Sequence, residues 1–200
     1  ETDINGKGPN ISDDDLKVLL KKLKNIQNGD TLVLSGSVPP SLNKNIYALI
    51  IERLQGKNIK FVVDAAGEAL KSTLRLKPFL IKPNKQELEE LFGKKIKTKK
   101  QIINCAKALK NEGAQNVIVS LAEKGAVLLS ENNKEIFAPA KKGKVINTVG
   151  AGDAMVAGFL AGYQKTNDFD YSLKLAIAAG SATAFSVGIA KKEDIDSIKI

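Results

Sequence analysis

The chain has 200 residues, 43% hydrophobic and 26% charged, with a net charge of +9; this fits a soluble α/β chain with a proper core, in one domain or one large domain plus a small piece. It has no histidine and a single cysteine, Cys105, which excludes Ser-His-Asp triads, Cys-His pairs, His-ligated metals and a disulfide framework, and leaves acid–base work to carboxylates, lysines or tyrosines. No apolar run is long enough to span a membrane and no signal peptide opens the chain, so a cytoplasmic location is the default, and the lysines are spread over helices rather than gathered in a nucleic-acid-binding block.

In chain order, helical spacing runs over residues 13–26 with Ser12 as a candidate N-cap. A buried strand over 31–34 leads into the turn Ser35-Gly-Ser-Val-Pro-Pro40. A helix over 43–55 stops at Gly56, a strand covers 59–64, and a short helix follows around 68–73. A strand at 79–81 ends in Lys82-Pro83-Asn84, and helices over 84–92 and 98–111 follow, the second closed by Gly113. A strand over 116–121 precedes a hairpin, 125–130 with 134–138, across Glu131-Asn132-Asn133. Helices over 151–163 and 171–186 complete the pattern. Strands alternating with helices imply a parallel sheet covered on both faces. Ligands in such folds bind at the C-terminal strand ends. Residues 35–40, 64–67, 82–84, 120–125 and the Gly150 turn are therefore expected around one crevice. There is no internal repeat, low-complexity tract or long linker.

Asn147-Thr-Val-Gly-Ala-Gly-Asp153 runs straight into an apolar helix rich in small residues. Two glycines let backbone approach a ligand closely. The N–H groups that open a helix lack intrahelical partners and sit at the positive end of its dipole, so the place suits a phosphate. Asp153 in the same turn adds a base, and an anion cradle beside a base suits phosphoryl transfer. The alternative is that Asp153 is simply a favourable acid in a first helical turn.

Two further segments could carry chemistry. Asn84 and Glu87 lie three residues apart on one helical face, where hard oxygens could hold water around Mg²⁺; the same spacing is also a capping box. Ser120-Leu-Ala-Glu-Lys-Gly125 could pass close to a nucleotide, or be an ordinary hairpin entry. A Walker-type phosphate loop and the dinucleotide glycine spacing are both absent from the sequence.

Taken together, these segments resemble ribokinase-type (PfkB) sugar kinases. The residues 147–158 are similar to the family's C-terminal signature, and Lys82-Pro-Asn-Lys-Gln-Glu87 to its Asn-x-x-Glu segment. Leu34-Ser-Gly-Ser-Val-Pro-Pro40 and Ala179-Gly-Ser-Ala-Thr-Ala-Phe-Ser186 resemble its phosphosugar branch. Thr2-Asp-Ile-Asn-Gly-Lys-Gly-Pro9 leans towards the 1-phosphofructokinases, with tagatose-6-phosphate kinase as near relative. The resemblance implies a three-layer α/β/α fold with a mostly parallel central sheet. Residues 1–200 would be the C-terminal two-thirds, the ATP half, of one kinase domain, without the N-terminal third and most of the β lid.

The resemblance also implies roles. Asp153 would be the catalytic base. The N–H groups of Ala151, Gly152 and Asp153 would form the anion hole, with Gly150 allowing the turn. Asn84 and Glu87 would organise Mg²⁺ through water, and Lys82 would reach the ATP phosphates. Ser120 and Gly125 would line the nucleotide site, Ser181 and Ser186 would border adenine, and Ser37 would touch the phosphosugar. Asn147 stands where many relatives carry an Asp that helps bind a monovalent cation, so no strong K⁺ requirement is expected. Ala122 stands where Gly is common.

The expected partners are ATP and a phosphosugar, with a homodimer formed through the lid, and without nucleic acid or membrane. The expected reaction converts fructose 1-phosphate to fructose 1,6-bisphosphate; tagatose 6-phosphate and fructose 6-phosphate are alternative acceptors. A nucleoside kinase and a non-catalytic nucleotide-binding or regulatory module remain as other readings. The 200-residue chain alone is expected to be inactive or poorly folded.

Overall fold

The computed structural model describes residues 8–198. Most of the segment at residues 2–9 that leans towards the 1-phosphofructokinases lies outside them. Six strands form one sheet in the order β1-β2-β3-β4-β5-β6. They are β1 (Thr31–Ser35), β2 (Lys60–Asp64), β3 (Leu80–Ile81), β4 (Asn116–Ser120), β5 (Ala126–Leu129) and β6 (Glu135–Ala138). The first four are parallel; β5 runs antiparallel to β4, and β6 to β5. The expected hairpin is thus the antiparallel margin of an otherwise parallel sheet.

The helices are α1 (Asp13–Lys22), α2 (Ile46–Arg53), α3 (Gly67–Leu74), α4 (Lys85–Phe92), α5 (Lys99–Asn111), α6 (Ala151–Thr166), α7 (Phe169–Ala184) and α8 (Lys192–Asp196). The N-caps read from sequence at Ser12 and Asn84 hold, and Thr98, where a helix was expected to begin, is a third. Ser12, Asn84 and Thr98 each accept a hydrogen bond from the backbone N–H three residues on. Several boundaries differ from expectation: α2 begins at Ile46 rather than at 43, and α6 runs on to Thr166 rather than ending at 163. The first helix changes to a 3-10 turn over Leu23–Asn25. The last long helix begins earlier than Tyr171, because the Asp168 carboxylate accepts from the N–H groups of Asp170 and Tyr171. The short α8 was not expected from the sequence.

Alternation along the strands splits the core into two layers. Val63, Ile81, Val117 and Val119 face α2 to α5, with Leu70, Leu88 and Leu109 packed against them. Val62, Leu80, Ile118 and Leu128 face α6 and α7, meeting Phe159, Leu173 and Ile177. The buried Cys105 belongs to the first layer. Close packing of α6 on α7 depends on small residues: a Cβ added at Gly158 would lie 2.8 Å from the Leu175 carbonyl oxygen. Among the described residues, no helix is long and apolar enough to cross a membrane.

The margin at β1 is different. Val33 is the register partner of Val62, yet Val33 is 41% exposed while Val62 is fully buried. The α6–α7 layer therefore leaves Val33 uncovered, and within the described residues β1 pairs on one side only.

Candidate active site

The C-terminal strand ends meet the start of α6, as the topology rule requires. Gly150 adopts the left-handed conformation (φ 81°) that turns the chain into α6. The turn before it is fixed by the Asn147 side-chain oxygen, which accepts from the Val149 N–H at 3.0 Å. Asp153 lies in the first turn of α6. Its Oδ1 accepts a hydrogen bond from the Ser35 hydroxyl at 2.9 Å, across 118 residues of sequence. The last residue of β1 and the expected base are therefore in direct contact.

Lys82, just past β3, is 6% exposed. Its Nζ lies 3.1 Å from Asp64 Oδ1 at the end of β2. A Cβ built on Gly152 would sit 3.2 Å from the same Nζ. Gly152 is thus the residue that lets a buried cation approach the first turn of α6. Asp64 belongs to this cluster, and sequence reading did not single it out. The only available signal was its place at a strand end within 64–67, and a lone acid there is common.

Burial pushes the Asp64 carboxyl above the usual range; Lys82 pulls it back, and the charge of Asp153 raises it further. Glu87 is raised for the same first reason, is lowered by the Asn84 N–H and Lys82, and is raised again by Asp64. Asp64, Lys82, Glu87 and Asp153 therefore share one electrostatic environment. Asn84 and Glu87 do form the capping box: Glu87 N–H donates to Asn84 Oδ1 at 2.9 Å, and Asn84 N–H to Glu87 Oε2 at 2.8 Å. That box holds Glu87 beside Lys82 and Asp64, so capping and site-building coexist. Among the described residues, no group of three acidic, histidine or cysteine side chains could hold a metal ion alone. The donors present are hard oxygens on acids whose burial disfavours their charge, and this chemistry fits Mg²⁺ brought in with phosphates and water.

The other expected residues fall into place differently. Ala151 N–H donates to the Thr148 carbonyl at 3.1 Å, which leaves Gly152 and Asp153 as the better placed anion-hole donors. Ser120 adjoins Asn84 through a parallel bridge and its N–H donates to the Pro83 carbonyl. Gly125 has a local structural reason: an added Cβ would lie 2.0 Å from the Ala138 carbonyl oxygen. Ala122 adopts φ 50°, a conformation glycine takes more readily. Ser181 Oγ accepts from the Lys141 N–H at 3.4 Å, and Ser186 Oγ donates to the Ala182 carbonyl. Ser37 is exposed in the turn after β1. Among the described residues, no hydrogen bond joins Ser37, Ser181 or Ser186 directly to Asp153.

The model of the pfkB family carbohydrate kinases matches residues 1–195. The chain belongs to that family. A 1-phosphofructokinase of Bacillus subtilis is 44% identical over 198 residues, covering 99% of this chain and 65% of the relative. A D-tagatose-1-phosphate kinase of Bacillus licheniformis is 37% identical, covering 98% and 64%. The crystal structure of phosphofructokinase-2 from Escherichia coli in complex with fructose-6-phosphate superposes with a TM-score of 0.88 at 28% identity, covering 97% of this chain and 63% of that one. The ribokinase of Arabidopsis thaliana, at 23% identity and a TM-score of 0.70, shares the fold. This pfkB-family chain thus spans about two-thirds or slightly less of the relatives it matches. The tagatose enzyme among them is named for the 1-phosphate, where the sequence motifs had suggested the 6-phosphate.

Proposed function

We propose that the protein carrying this chain transfers the γ-phosphoryl group of ATP to a ketohexose phosphate, foremost fructose 1-phosphate, giving fructose 1,6-bisphosphate and ADP. The observation that carries the reading is the meeting of Asp153, Ser35, Gly152 and the buried Lys82 at one helix N-terminus. Asp153 takes the proton of the acceptor hydroxyl. The hydroxyl oxygen bonds to the γ-phosphorus as the bond from that phosphorus to the bridging oxygen of ADP breaks. The Gly152 and Asp153 N–H groups, with Gly150 shaping the turn and Ala151 beside them, face the charge that develops on the transferred group. Lys82 adds a positive point charge. Mg²⁺ bound with ATP would neutralise phosphate charge, with Asn84, Glu87 and Asp64 as its protein-side oxygens, in part through water.

Ser120 and Gly125 would line the nucleotide, Ser181 and Ser186 its base, and Ser37 the phosphosugar. The Asn147 amide oxygen is engaged by Val149 N–H, in keeping with turnover that does not require K⁺ over Na⁺. The names of the two bacillar relatives favour a 1-phosphate acceptor. A tetrameric inhibited form is known for the Escherichia coli phosphofructokinase-2; assembly through a lid is the corresponding expectation for the whole protein here.

The test is initial-rate transfer from Mg-ATP by the full-length protein, with fructose 1-phosphate, tagatose 1-phosphate, fructose 6-phosphate and tagatose 6-phosphate offered in parallel. The highest kcat/KM is expected with fructose 1-phosphate. ATP binding without transfer to any of the four would contradict it, and would favour a non-catalytic nucleotide-binding module.

A further inference from the structure

The contact between Ser35 and Asp153 has a support behind it. The Tyr47 hydroxyl, from α2, donates to the Ser35 carbonyl at 2.7 Å and lies 3.1 Å from the Gly36 carbonyl. Gly36 has φ 92°, and its N–H donates to the Asp64 carbonyl at 3.0 Å. Ser35 itself is in register with Asp64. The backbone of Ser35 is therefore held from two sides, by a tyrosine on a packed helix and by the end of β2. Its hydroxyl is delivered to a single place, Asp153 Oδ1.

β1 is the margin of the described sheet, with Val33 exposed. A carboxylate in a first helical turn can rotate about its own side-chain bonds. A donor on one oxygen fixes the carboxylate plane and leaves Oδ2 to receive the proton of the acceptor. Catalytic geometry that is loose by about 1 Å can cost about 100-fold in rate.

We propose that Ser35 and Tyr47 are positioning residues for phosphoryl transfer: Ser35 orients the Asp153 carboxylate, and Tyr47 holds Ser35 in place to do so. This rests on the reading of Asp153 as the base. Neither residue touches the nucleotide in this scheme, so the effect belongs in kcat rather than in the KM for ATP.

The experiment is a set of variants in the full-length enzyme: Ser35→Ala, Ser35→Thr, Tyr47→Phe, Ser35→Ala with Tyr47→Phe, and Asp153→Asn with and without Ser35→Ala. Ser35→Ala should lower kcat by about 10- to 100-fold with KM for Mg-ATP unchanged. Ser35→Thr keeps the hydroxyl and should recover most of the rate. Tyr47→Phe should lower kcat by less. The Ser35→Ala, Tyr47→Phe double variant should be no slower than Ser35→Ala alone, because Tyr47 acts through Ser35. In the Asp153→Asn background, Ser35→Ala should change nothing further.

Near-wild-type kcat in Ser35→Ala, while Asp153→Asn is inactive, overturns the positioning role and leaves the base standing. Additive losses in the double variant overturn the link from Tyr47. Near-wild-type kcat in Asp153→Asn removes the base itself. Thermal unfolding of each variant separates a general loss of structure from these results: a fall in Tm with kcat and KM unchanged per folded molecule also counts against the proposal.

Discussion

Glu87 caps α4 and lies in the same electrostatic environment as Lys82 and Asp64. Its backbone cap with Asn84 is complete, yet burial raises its carboxyl pKa, with Lys82 and Asp64 pulling in opposite directions. The folded protein therefore keeps the Glu87 proton to a higher pH than the unfolded chain does. The resulting stabilisation is full below the unfolded carboxylate value of about 4.3, and is lost as pH rises through the folded value. Asp64 adds a contribution of the same sign. Replacing Glu87 with Gln keeps an oxygen for the Asn84 N–H and removes the titration. In urea unfolding of the full-length protein without nucleotide, wild type should lose more stability than Glu87→Gln between about pH 4 and 7. Parallel pH profiles for the two proteins would show that burial does not govern this carboxyl.

At the scale of elements, α6 and α7 approach closely because glycine and alanine face each other. At Gly158 an added Cβ would lie 2.8 Å from the Leu175 carbonyl and 2.9 Å from the Ala179 Cβ. The backbone carbonyl cannot move aside as a flexible side chain could. Alanine would gain up to about 1 kcal/mol in helix propensity, but overpacking costs about 1–3 kcal/mol. Gly158→Ala should therefore lower the chemical-denaturation midpoint. Gly188→Ala is the control, since nothing lies within 4 Å of its added Cβ, and it should leave the midpoint nearly unchanged. A stabilised Gly158→Ala would mean that the helices separate freely.

Elements with strong periodicity or a capping residue were legible from sequence. Asn84 marked the start of α4, and the turn residues Glu131-Asn132-Asn133 marked the β5–β6 hairpin. The start of α7 was missed because its cap, Asp168, precedes an aromatic residue rather than an obvious apolar stripe. The tertiary partners of the site were harder to read. Asp153 stood out through its glycines, but Ser35, 118 residues away, carries no local mark of its contact. Gly125 was read as approaching a nucleotide; its close neighbour within the protein is the backbone of residues 138–140.

For the molecule as a whole, the reactive end of α6 meets the sheet at β1, the strand that pairs on one side only among the described residues. Val33 on that strand is 41% exposed, and Val18 and Leu19 of α1 are 57% and 42% exposed. The chain spans 65% and 63% of two 1-phosphofructokinases that it resembles. The full-length protein is therefore the proper subject of kinetics.

The most direct measurement is the phosphoryl-transfer rate of the full-length protein with Asp153→Asn, at saturating fructose 1-phosphate and Mg-ATP, beside Mg-ATP affinity. The substitution preserves size and much of the hydrogen bonding while removing the base. The account predicts a rate lower by about two to four orders of magnitude with nucleotide affinity nearly unchanged. A near-wild-type rate would contradict it, and would move the proton transfer away from the start of α6.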